Sequence, residues 1–254
     1  MTRAIGTIRQ EGFSLIELLL ALGIFLVVTG AAFTLLGSSQ QRYRTESQVL
    51  NSFQEARLGL DQIVREVNDS GYPPPSFFSA TAPANSASSP IAWSPNYPGQ
   101  TCQIGAGCAT PGAFDLIVET NPNPQDPNSQ VVWIRYQLQL PPQVQVPTLM
   151  RGVAPKVSGD DPATDTQATL VPFVQNVVNS PAQSIFSYTC DTSAAPQSPP
   201  LPCPPQAVAA DNIPANIRDV IITLIVAAPQ PDAISGQQRV VVLTGRGRRM
   251  NPNQ

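Results

Sequence analysis

The chain has no histidine. That removes the commonest general base and the commonest neutral metal ligand. Charge is scarce too. Asp, Glu, Lys and Arg make up 12% of the residues and the formal net charge is −3. A general nucleic-acid binder is usually basic, so nucleic acid is not an expected partner. Cysteine is limited to Cys102, Cys108, Cys190 and Cys203. None forms a C-x-x-C pair, and no histidine is there to complete a zinc set. There is no Gly-rich phosphate loop after a strand and no H-E-x-x-H. No catalytic set assembles, so no enzyme activity, no cofactor and no metal are expected. Proline is abundant, 28 residues, yet none lies between Phe13 and Tyr72.

What that proline-free stretch contains organises the rest. From Gly12 the chain runs GFSLIELLLALGIFLVVTGAAFTLL to Leu36, with Glu17 its single charge. Phe13 to Leu36 spans about 36 Å as a helix, enough for a hydrocarbon core of roughly 30 Å. A secretory signal cut near Ala31–Ala32 is a rival, because small residues cluster there. Its apolar core would be only about 7–15 residues, so a retained membrane span fits better. An ionised carboxylate at mid-bilayer costs roughly 2.5–3.5 kcal/mol, so Glu17 needs a reason. Arg3 and Arg9 precede the span, and Arg42 and Arg44 follow it. This balance does not orient the helix by itself. The four cysteines do: all lie beyond the span, where disulfides are the natural reading, so the N-terminus is placed in the cytoplasm.

Gly12-Phe13-Ser14-Leu15-Ile16-Glu17-Leu18 resembles the cleavage and methylation site of type IV prepilins and type II secretion pseudopilins. The shared pattern is a short basic leader ending in Gly, an aromatic residue next, an acid fifth after the cut, then an apolar helix. The resemblance implies that prepilin peptidase cuts between Gly12 and Phe13, with N-methylation of the new Phe13 amine. It also implies that Glu17 pairs with the Phe13 amine of a neighbouring subunit. That is physically coherent, since a carboxylate in lipid is tolerable where a cation meets it.

Beyond the span, Val49, Phe53, Ala56, Leu60, Ile63 and Val67 recur at spacings of 4, 3, 4, 3 and 4. That is an apolar stripe on one helical face. Arg57, Asp61 and Arg65 offer i,i+4 charge pairs, and with Glu66 and Asp69 they take the other positions. One helix of about 84 Å is predicted from Phe13 to near Asn68. Gly71 is its stop, and Pro73, Pro74 and Pro75 forbid continuation. Gly30 and Gly37 are either points of bending or tolerated packing glycines.

Residues 73–112 read as a long surface excursion rich in Pro, Ser, Ala and Gly. Cys102 and Cys108 sit inside it, and Cys190 and Cys203 bracket a second Pro/Ser-rich loop. Four cysteines allow three connectivities, of which sequence proximity favours 102–108 with 190–203. Strand patterns cover Phe114–Glu119 and Val131–Leu140, joined by a turn over 121–129. In the second, Val132, Ile134, Tyr136 and Leu138 alternate with Trp133, Arg135, Gln137 and Gln139, predicting a half-buried strand. Leu149-Met150-Arg151 is a short strand, 171–178 a helix or strand, Ser184–Thr189 a strand, and Ile217–Ala227 with Gln238–Thr244 a final hairpin. Asp160, Asp161 and Asp165 form an acidic loop over 158–165. It reads as solvated, with calcium as the rival, although the spacing is not that of an EF-hand. Gly245-Arg246-Gly247-Arg248-Arg249 reads as a solvated basic tail. Trp93 and Trp133 read as core or loop anchors.

The expected fold class is α+β: a long N-terminal α-helix, membrane-spanning in its first half, packed on an antiparallel β-sheet head. Segment by segment, 1–12 is a leader and 13–36 the membrane and assembly half of the helix. Residues 37–70 are its amphipathic half, and 71–254 the periplasmic head. The helix end, Ala56–Val67 with Gly71-Tyr72, is similar to PilW-like minor pilins and the J-type minor pseudopilin. So is the order of Leu149-Met150-Arg151, then Val174–Val178 leading to Ile185–Tyr188, then a last hairpin. The long Pro-rich loops depart from a compact pseudopilin. The resemblance implies a pilin fold and a structural or priming subunit of a type IV pilus, or the J-type pseudopilin of a type II secretion system. Expected partners are prepilin peptidase, other minor and major pilins or pseudopilins, and an inner-membrane assembly platform. A third possibility, from another class, is a single-span inner-membrane protein with a periplasmic binding domain that never assembles.

Overall fold

The computed structural model describes residues 12–77, 86–123, 125–126, 129–191, 201–203, 209–232 and 236–250. Arg3, Arg9 and Glu11 of the expected leader lie outside the described residues. So do parts of the two Pro-rich stretches, at 78–85, 192–200 and 204–208.

The proline-free stretch is one helix, α1 (Leu15–Asp69, 55 residues). It passes through Gly30 and Gly37 without interruption, so both are tolerated helical glycines. It ends where Gly71 takes φ 82°, a left-handed conformation that glycine adopts without steric cost. The Gly71 N–H then donates to Glu119 O at 2.8 Å, which ties the helix exit to the head.

The chain divides into two compact units, one through Ser47 and one from Gln48. Within the second, the expected stripe is the buried face: Val49, Ala56, Leu60, Ile63 and Val67 are all buried, with Gly59 beside them and Phe53 half-buried. Among the described residues, Arg57, Asp61 and Arg65 form no ion pairs with one another. Glu66 turns inward instead of facing water. It pairs with Arg151 at 2.6 Å and accepts from the Tyr136 hydroxyl.

The head holds two antiparallel sheets where one was expected. The first has five strands in sequential order: β1 (Ile91–Ala92), β2 (Asp115–Thr120), β3 (Val132–Gln139), β4 (Thr148–Pro155) and β5 (Val171–Gln175). The second is built from β6 (Phe186–Cys190), β7 (Leu201–Cys203), β8 (Ile217–Ala227) and β9 (Val240–Arg248), in the order β7-β6-β8-β9. A short helix, α2 (Pro162–Gln167), links β4 to β5. Asn176 follows β5 with φ 58°, a left-handed turn that Asn tolerates better than most residues. The chain then crosses over. Val177 bridges Val226, and the Val178 N–H donates to Ile225 O at 2.8 Å, so the segment after β5 lies along β8.

Both sheets and the α1 stripe share one core. Leu116, Val118, Ile134, Tyr136 and Leu149 of the first sheet enclose Ala56, Leu60, Ile63 and Val67 together with Phe186, Val220, Ile222 and Leu224 of the second. The helix presses so closely on β9 that a side chain at either of two glycines there would force a neighbour to shift. A Cβ on Gly247 would lie 2.5 Å from Val67 Cγ1, and one on Gly245 would lie 2.8 Å from Val64 Cγ2.

Three expectations are corrected. Gly245–Arg249 is not a solvated tail, because β9 runs on to Arg248 in register with β8 down to Asp219. There, Arg246 pairs with the fully buried Asp219 carboxylate at 2.6 Å. Residues 73–112 are not only a surface excursion, because Ile91, Ala92, Tyr97 and Ile104 are buried. And β3 is buried on both faces at its centre. Trp133 packs with Ala92, Tyr97 and Ile117. Arg135 is held by Asp115 at 2.6 Å and by Ala163 O at 2.7 Å. The alternation in β3 is real, but the 86–100 segment and α2 cover the face expected to be wet.

Candidate functional site

At the start of α1, residues 12–14 are non-helical and exposed, and Phe13 is 88% exposed. Among the described residues, nothing lies within 4 Å of where a Gly12 Cβ would be. Helix begins at Leu15, which makes Ser14 the N-cap and Glu17 the third helical residue. Glu17 Oε2 accepts from the Ser14 backbone N–H at 3.0 Å, and the Leu18 N–H donates to Ser14 O at 3.2 Å. This is the carboxylate half of a capping box. Ser14-x-x-Glu17 is the short sequence signal for it, and it gives Glu17 a second, local role beside its charge.

The electrostatics are simple. A helix N-terminus carries about half a positive charge, which favours an anion and disfavours a cation there. Glu17 is therefore well placed in its own chain. An α-amine created at Phe13 is not, because it sits just ahead of the same positive end. A carboxylate supplied by another helix would relieve that conflict.

The cysteines form two bridges, Cys102–Cys108 with Cα atoms 5.1 Å apart and Cys190–Cys203 with Cα atoms 5.3 Å apart. The first closes a tight loop in which Gln103 O accepts from the N–H groups of Gly107 at 2.9 Å and Cys108 at 3.0 Å. The second clamps the short β7 onto β6, where Tyr188 is paired with Cys203.

The acidic loop is partly consumed by structure. Asp161 caps α2, accepting from Ala163 N–H at 2.8 Å, and its other oxygen takes the Ser94 hydroxyl at 2.8 Å. Slight burial and the charges of Asp160 and Asp161 raise the Asp165 carboxyl. Among the described residues, no group of three or more His, Cys, Asp or Glu side chains is placed to hold a metal ion.

Residues 8–33 match the family described as Prokaryotic N-terminal methylation motif. The chain carries a pilin-type signal. The matched segment contains Gly12, Phe13 and Glu17, and it opens a helix long and apolar enough to cross a membrane. No curated protein and no solved structure matches the chain. The signal is that of type IV pilins and pseudopilins. It implies processing by prepilin peptidase and assembly with other pilins, and it fits a structural, pilin-like protein. The architecture agrees: a long N-terminal apolar helix packed, in its second half, against antiparallel sheets.

Proposed function

We propose that this chain is a minor type IV pilin of the PilW-like kind, a structural and priming subunit of a filament. Prepilin peptidase removes residues 1–12, and the new Phe13 amine is methylated. Residues 13–36 hold the precursor in the inner membrane and later pack in the filament core. Residues 37–70 carry the head, and the head, 71–254, lies in the periplasm. The cysteine bridges support that location, because disulfides persist in oxidising compartments. Glu17 pairs with the Phe13 amine of a neighbour, giving up its bond to Ser14. The observation that carries this reading is the match over residues 8–33, with the acid fifth after the Gly12–Phe13 junction.

The experiment is incorporation. The full chain is expressed beside a type IV pilus system, the filaments are sheared off and the subunit is detected in them. Wild-type chain should be present, whereas Glu17→Ala should insert in the membrane but be missing from the filaments. Normal incorporation of Glu17→Ala would remove the pairing role. Recovery only in the pseudopilus of a type II secretion system would move the chain to the J-type class. Membrane chain that enters neither would favour the non-assembling anchor.

A further inference from the structure

The face of the first sheet that Trp133 occupies holds a buried charged pair unrelated to the N-terminal signal. Glu119 of β2 is fully buried. Lys156, the chain's one lysine, directly follows β4, and its side chain is 6% exposed. The two reach each other across β3, where Trp133 lies between Glu119 on one side and Ala154 on the other. Lys156 Nζ contacts Glu119 Oε1 and donates to Ser86 O at 3.0 Å and to Ser88 Oγ at 2.7 Å. The Ser88 N–H donates to Glu119 Oε1 at 3.0 Å, and the Tyr97 hydroxyl donates to Oε2 at 2.8 Å. The walls are aromatic. Tyr97 meets Trp93 and Trp133 edge-on, with centroids 4.8 Å and 5.7 Å apart. Burial raises the Glu119 carboxyl against the pull of Lys156. Burial, and then the Glu119 charge, keeps the Tyr97 phenol protonated.

We propose that Lys156 and Glu119 condense into an intramolecular amide between Nζ and Cδ, joining β2 to the chain after β4. An ammonium and a carboxylate buried to this extent are costly as charges, even as a pair. Moving one proton from Nζ to Oε1 gives a neutral amine and a neutral acid. The Nζ lone pair then attacks Cδ. The charge that develops on Oε2 falls on the Tyr97 hydroxyl, a donor already aimed at it. A second Nζ proton passes to Oε1, and Oε1 leaves as water. One C–N bond forms and one C–O bond breaks. Nothing is oxidised, and the protons of the original ion pair supply the water. The surroundings fit the product as well as the reactants, with the amide N–H facing Ser86 O and the amide oxygen facing Tyr97. The two groups are held in contact, so the step is intramolecular, with the effective concentration that implies. The tie spans three strands and, unlike the disulfides, survives reductant.

The test is mass. The full chain is purified in detergent, reduced and alkylated, and its head peptides are mapped. The expected result is a peptide pair joined through Lys156 and Glu119, lighter than the sum of its parts by one water. Lys156→Arg keeps a cation at the pair but should give the unjoined mass. Tyr97→Phe should join more slowly in a pulse-chase, and joining at the wild-type rate would overturn the role of the Tyr97 hydroxyl. Wild-type chain whose Glu119 and Lys156 peptides separate at full mass, with the Lys156 amine reactive in denaturant, would overturn the proposal. None of these readouts involves leader removal or filament entry, so this inference and the pilin reading fail independently.

Discussion

From Leu15 to Leu36, α1 carries leucine, isoleucine, valine and phenylalanine on every side, and those side chains are bare: Leu15 is 78% exposed, Val27 73% and Leu35 71%. From Val49 to Val67 one face, that of Val49, Ala56, Leu60, Ile63 and Val67, is covered by the two sheets, while Leu50 and Leu58 stay exposed on the other side. The helix is continuous, so backbone propensity does not separate the halves. What separates them is where their partners are. The second half finds its partners within the chain. The first half is apolar all round and must find them outside, in lipid or among other helices.

That contrast can be pushed from both ends. Ile63 is fully buried in the shared core. Ile63→Ala should lower head stability by about 2–5 kcal/mol, measured by urea unfolding in detergent followed by tryptophan fluorescence. A loss within error would mean that the stripe does not anchor the helix. Gly247→Val tests the same contact by overfilling it. The new side chain would collide with Val67, at a cost of about 1–3 kcal/mol, read in the same unfolding curves. Full stability would show that α1 does not press on β9.

Arg246→Ala probes how the end of β9 is held. Burial would raise the Asp219 carboxyl, but bonds from Arg246 and Thr189 outweigh it and hold the group below its ordinary value. A depressed folded value gives stability that is complete above the ordinary carboxylate range and is lost as pH falls through the folded value. The Arg246 side chain is 57% exposed, so water screens the pair, and the variant should be weaker at neutral pH by only about 0.5–1 kcal/mol. The deficit should shrink in acid, where wild type loses the same contribution. A deficit independent of pH would contradict the assignment. The smallest effect belongs to the bare half. Leu26→Ala should leave head unfolding unchanged within about 0.5 kcal/mol, whereas a loss like that of Ile63→Ala would erase the contrast.

Much of this was legible in the sequence, for reasons that are local. The absence of proline and the 4-3 spacing predict α1 to within a residue or two at each end. Gly71 marks its stop. Gly12, Phe13 and Glu17 fall within a few residues of one another, so the signal is readable without a fold. The disulfide pairs join neighbours in sequence. What escaped depends on parts of the chain that are distant in sequence. The outer face of β3 reads as half-polar, yet Arg135 is buried because α2 and Asp115 close over it. The alternation cannot report that cover. Gly245–Arg249 reads as a solvated basic tail, because glycine and arginine alternate there without an apolar face. Here the glycines are what lets the strand lie under α1. Glu66 looked like a surface charge until Arg151 and Tyr136, far along the chain, were brought to it.

If the bare half of α1 is a pilin-type device, the N-terminus itself carries the mark of it. Membranes holding the full chain are incubated with prepilin peptidase and the methyl donor, and the mature N-terminal peptide is read by mass. The expected result is loss of residues 1–12 and a methylated Phe13, with Gly12→Ala left uncut. A wild-type chain that also keeps its first twelve residues would contradict it.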